Sequence, residues 1–73
     1  MIYDTNASAY GFYMMNGGFE VLPTLNHHHP SRLVIETGRT KTVLLRTFSE
    51  VLTADGELQW VMRTDYERTK KPI

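Results

Sequence analysis

Three consecutive histidines, His27-His28-His29, are the residues of this 73-residue chain best suited to hold a metal ion. In an extended backbone alternate side chains point the same way, so His27 and His29 project together and His28 away. Imidazole nitrogen suits zinc, nickel or copper. Two histidines supply only half of a tetrahedral zinc shell. Glu20, Glu36 or Asp4, or His27 and His29 of a second copy, would have to complete it. No defined ligand spacing surrounds the run, so a solvated polar loop is favoured over a metal site, and no cofactor is expected. Clustered imidazoles also titrate together in mildly acidic solution, which gives a weaker pH-switch reading.

Aromatic and basic residues form the second set with chemistry to offer. Tyr10, Phe12, Tyr13 and Trp60 are ring systems on which bases can stack, and Arg32, Arg39, Lys41, Arg46 and Arg63 are cations that can track phosphates. However, Lys+Arg and Asp+Glu are 8 each, so the basic footprint of a nucleic-acid binder is missing. A domain of this size also needs its aromatics for buried area, and Trp60, between Leu58 and Met62, is expected to be buried. Nucleic acid is therefore an alternative partner and not the favoured one.

Catalytic constellations are missing from the sequence. Ser8, Ser31 and Ser49 lie in no Gly-x-Ser-x-Gly elbow, and there is no phosphate-binding Gly-x-x-x-x-Gly-Lys and no His-Glu-x-x-His. The chain is expected not to be an enzyme.

Turn chemistry describes what must position these residues. Asn16-Gly17-Gly18, Gly38-Arg39 and Asp55-Gly56 sit between apolar or β-branched runs, and such dipeptides adopt the positive φ of tight reversals. Strands are expected over 9–15, 19–22, 32–37, 40–47 and 57–64, with an edge strand at Ile2-Tyr3. Residues 24–31, bracketed by Pro23 and Pro30, read as a loop. In 9–15, Tyr10, Phe12 and Met14 share a face; in 57–64, Leu58, Trp60 and Met62 share one, with Val61 opposite. Residues 43–53 are ambiguous. Leu44, Leu45, Phe48, Val51 and Leu52 form a helical stripe, whereas the valines and threonines favour a strand that would set Val51 and Thr53 opposite Trp60 and Leu58.

The expected fold is mainly β: a small antiparallel meander or half-barrel of about five strands, with an α+β form carrying one short helix near 43–53 as the alternative. Residues 1–64 are expected to form a single domain and 65–73 a charged tail. With no cysteine the chain has no disulfide staple, and small folds then need a metal or a partner subunit. A homo-dimer or higher homo-oligomer is expected. No apolar run reaches the ~20 residues of a membrane span and no signal peptide opens the chain, so no membrane partner and a cytoplasmic location are expected. The function expected from these features is a small non-enzymatic interaction module. It would bind another protein, as a regulator or inhibitor blocking a partner's site, with His27, His28, His29, Arg39 and Lys41 as contact residues. A small RNA- or DNA-binding β domain and an inter-subunit histidine metal site at His27 and His29 are the alternatives.

Overall fold

The computed structural model describes residues 1–23 and 31–73. Among these residues the chain is mainly β, a single antiparallel sheet that does not close, with one short helix. Its strands are β1 (Ile2–Thr5), β2 (Ala9–Met15), β3 (Gly18–Pro23), β4 (Arg32–Val43), β5 (Arg46–Thr53), β6 (Leu58–Met62) and β7 (Lys71–Pro72), and helix α1 (Arg63–Thr69) lies between β6 and β7. Across the sheet the order is β3-β2-β6-β5-β4-β1-β7. The β4-β5-β6 meander is its centre. Seven strands take the place of about five because both chain ends add to one side, β1 on β4 and β7 on β1.

Two of the three expected reversals form. Asn16 and Gly17, at φ 50° and 81°, make the two-residue turn of the β2–β3 hairpin. Asp55-Gly56 closes β5 onto β6, with the Gly56 N–H donating to the Thr53 carbonyl at 3.0 Å. That loop includes Ala54 as well, and the extra residue slips the register by one. Glu50, Val51 and Leu52 therefore face Trp60, Gln59 and Leu58, and the expected Val51–Trp60 pairing is not made.

Gly38-Arg39 is not a reversal. It lies inside the 12-residue β4, at a bulge where the register shifts between Glu36 and Thr40. The positive φ of Gly38, 86°, serves the bulge. Its two flanking residues close on one carboxylate of β5. Thr37 Oγ1 donates to Glu50 Oε1 at 2.8 Å, and Arg39 Nε stands 3.6 Å from the same oxygen. The reversal falls instead at Leu44-Leu45, between the paired Val43 and Arg46. No helix forms over 43–53. The apolar stripe there is divided: Phe48 and Leu52 go to one face of the sheet, Val51 to the other, and the two leucines to the turn.

The expected tail is structured. Residues 63–69 form α1, which packs on β5 and β6, and Tyr66 is a fully buried side chain within it. Tyr66 joins Ala7, Val34, Val51 and Val61 in the core, with Tyr3 packed against it. A hydroxyl chain fastens the helix to β1. The Ala7 N–H donates to Thr5 Oγ1, the Thr5 and Thr69 hydroxyls lie 3.0 Å apart, and Thr69 Oγ1 donates to the Asp65 carbonyl. The buried Thr5 hydroxyl is thereby satisfied. The Ile73 N–H donates to the Ile2 carbonyl, completing the edge.

Tyr66→Ala should cost about 3–5 kcal/mol, most of the stability of a domain this small. Removal of residues 65–73 should abolish the cooperative transition. Urea titration followed by tryptophan fluorescence measures both, and a truncated chain that still unfolds cooperatively would restore the tail reading.

Candidate functional site

The histidine run lies outside the described residues, so His27, His28 and His29 carry no geometry, as contact residues or as metal ligands. Among the described residues no group of three or more histidine, cysteine or acidic side chains is placed to hold a metal ion. Also among the described residues, no helix is long and apolar enough to cross a membrane.

Arg39 and Lys41 are both exposed, and each has a partner within the chain. Arg39 reaches Glu50, which is only 5% exposed while the arginine is 70% exposed. Lys41 holds its ammonium 4.6 Å from the centre of the Phe12 ring and 5.0 Å from that of Trp60, a pair of cation–π contacts. Beneath it, Tyr10 and Phe12 meet the fully buried Phe48 edge-on at 5.6 and 5.1 Å, and Phe12 meets Trp60 edge-on at 5.7 Å. These rings are engaged with one another and with Lys41, an arrangement of a packed cluster rather than a row of open stacking faces. Trp60 is half-buried rather than enclosed, because β2 pairs with β6 only at Ala9 and Tyr10 before it parts from it. Arg32 is half-buried, and among the described residues its guanidinium nitrogens find no hydrogen-bond acceptor.

On the helix side, Glu36 receives two donors on one oxygen, Tyr66 Oη at 3.0 Å and Lys70 Nζ at 2.8 Å. Lys70 also bonds Glu67 and lies over the rings of Tyr3 and Tyr66. The hydrogen bond from Lys70, helped by that from Tyr66, holds the Glu36 carboxyl below the ordinary glutamate range against the opposing effect of burial. Lys70 is raised, first by its bond to Glu36. Tyr66 is raised first by burial and then by Glu36. A phenol and an ammonium that both keep their protons suit a fixed clasp better than proton transfer. The clasp joins α1 to β4.

The surface that residue-by-residue reading missed lies on the opposite face. Ile2, Ile35, Leu52 and Leu58 are successive register partners across β1, β4, β5 and β6. They form a ladder of aliphatic side chains, and Leu33 adjoins it two residues along β4 from Ile35. Ile2, Leu33, Ile35 and Leu58 are 46%, 48%, 43% and 58% exposed. Each falls on a strand whose alternation is visible in the sequence. Their alignment depends on register, which the sequence does not display.

The chain matches no family model, no curated protein and no solved structure.

The clasp sets a pH dependence. The lowered Glu36 pKa contributes stability that is present above the ordinary glutamate range and lost as pH falls through the folded value. The raised Lys70 and Tyr66 pKa values contribute stability that is full below their ordinary values and lost as pH rises through the raised ones. Denaturation midpoints between about pH 3 and about pH 11 should form a plateau that falls at both ends. Glu36→Gln should lower the plateau and flatten the acid limb, while burial of Tyr66 keeps part of the alkaline limb; an unchanged acid limb would remove the clasp from the account.

Proposed function

We propose that this chain is a non-enzymatic protein-interaction module whose open aliphatic ladder is a protein-binding surface. The observation that carries the reading is the alignment of Ile2, Ile35 and Leu58, all exposed, with the half-buried Leu52 on the sheet face opposite α1. Contiguous apolar surface of this kind on a small soluble fold marks a contact site. The ladder holds no charged side chain, so it suits an equally flat and uncharged surface. A second copy of the chain supplies one: two such faces related by a two-fold axis pack at the ~10 Å spacing of a β-sandwich and give each copy a layer over the ladder that its described residues do not provide. The 73-residue, cysteine-free chain has no disulfide to take the place of that layer. In such a dimer the helix face and the β4–β5 hairpin, with Arg39 and Lys41, remain free for a further protein, as a regulator or inhibitor covering a partner's site requires.

Sedimentation equilibrium tests this at micromolar concentration. The unmodified protein should be a dimer. Ile35→Lys, which places an unpaired ammonium in the centre of the ladder, should give a folded monomer with an unchanged far-ultraviolet circular dichroism spectrum. A monomeric unmodified protein would remove the ladder as a self-association surface.

A further inference from the structure

Leu44 and Leu45 form the turn of the β4–β5 hairpin, and both have positive φ, 52° and 65°. A two-residue hairpin turn demands this conformation, which Asn and Gly adopt readily and a leucine adopts only with strain. The same sheet uses Asn16-Gly17 for the same task at nearly the same angles. The fold therefore gains nothing from leucine at this turn. Both leucines point to solvent, Leu44 at 67% exposure and Leu45 fully exposed.

The charges nearest the turn have one sign. From Gly38 to Ser49 the chain carries Arg39, Lys41 and Arg46 and no acid. Arg63 lines the same groove as Leu45 and Arg46, and on the side away from the turn it lines a second groove with Arg39 and the acids Glu36, Glu50 and Glu67. The next acid along β5, Glu50, is buried and bound by Thr37 and Arg39, while Asp55 and Glu57 lie in the loop at the far end of β5. Glu20, on β3, alternates to the face of its strand opposite Phe19. The zero net charge of the whole chain thus conceals a cationic end. The turn also stands clear: the 12 residues of β4 span ~40 Å at ~3.3 Å each, close to the 41 Å longest dimension of the molecule. Phe19, which shares a groove with Lys41 and Val43, adds an exposed aromatic at this end.

We propose that this end docks the protein onto an anionic membrane surface. Leu44 and Leu45 enter the boundary between headgroups and acyl chains, and Arg46 and Arg63, with Lys41 behind them, face the headgroups. An apolar tip ringed by cations fits a bilayer, which supplies negative charge and apolar depth without shape. A protein pocket is fitted less well, since its anchors are typically tryptophan, tyrosine or arginine, and leucine is under-represented.

Co-sedimentation with vesicles tests the proposal. The full chain should bind phosphatidylcholine vesicles containing about 30% phosphatidylserine at least about fivefold more tightly than phosphatidylcholine alone. Arg46→Glu should weaken that binding about tenfold. The double variant Leu44→Asn/Leu45→Gly installs the turn residues found at 16–17, so it should melt at or above the unmodified temperature while losing vesicle binding about tenfold or more. The proposal is overturned if the unmodified protein does not bind the anionic vesicles, if it binds both compositions equally, or if the folded double variant binds undiminished. Dimerisation through the ladder is read separately, by sedimentation, so either reading can fail without the other.

Discussion

Burial of Tyr66 against the sheet is the contact on which the rest of the structure depends. Helix α1 has seven residues, and its N-cap, Met62, supplies no side-chain hydrogen bond. A helix of that length does not persist alone in water. It forms because the Tyr66 ring fills the space over Val34, Val51 and Val61, and because its hydroxyl, which would be costly to bury unpaired, finds the Glu36 carboxylate. That carboxylate is held charged by Lys70, which follows the helix directly, so the helix end supplies the cation that its own anchor requires. In turn the sheet gains the layer that covers Val34, Val51 and Val61. β-strand and helix are each marginal without the other.

One helix covers one face, and the remaining architecture follows from that asymmetry. At one end of the other face, the chain supplies its own cover: Tyr10 and Phe12 of β2 reach Phe48 and Trp60, and Lys41 lies over the rings. Phe48 is buried completely as a result. At the other end, where β1, β4, β5 and β6 run side by side, no described segment approaches, and the aliphatic ladder faces solvent. Among the described residues the fully buried set contains only two large side chains, Tyr66 and Phe48, so much of the aliphatic surface that a larger domain would enclose is outside.

The strands were legible because alternation and β-branched residues mark them locally: 9–15, 18–23 and 58–62 match their expected positions closely. The faces within β2 and β6 were legible for the same reason. What failed were the features decided by tertiary pairing. Gly38-Arg39 has the composition of a turn, yet a reversal there would pair 32–37 with 40–45 and break the match of Phe48 with Lys41 and Met62. The glycine accommodates a bulge, and strain is accepted at Leu44-Leu45. Ala54 carries no turn signal, so its presence in the β5–β6 loop, and the one-residue slip it causes, could not be read. Helix α1 was invisible because Tyr66 is its single apolar residue, too few to make a periodic stripe. The ladder was present in the sequence as separate alternating residues and became a surface only once four strands were in register. The histidine run, the most conspicuous motif in the sequence, lies outside the described residues, and its role stays as the sequence alone leaves it.

The two surfaces are placed so that use of one does not obstruct the other. Leu52 marks the ladder and Leu45 the turn, seven residues apart along one hairpin, ~23 Å at the rise of an extended strand. A partner that covers Ile2, Ile35, Leu52 and Leu58 therefore leaves Leu44, Leu45 and the surrounding cations free. The charge distribution follows the same division, with the uncharged ladder near the acidic Asp55–Glu57 loop and the cations gathered at the turn. In a dimer formed through the ladder each copy contributes one turn. Where the two turns can reach the same surface, the second contact becomes intramolecular and raises the combined affinity well above that of a single pair of leucines. Weak individual contacts of the kind two leucines and a few cations provide would then suffice for the proposed docking.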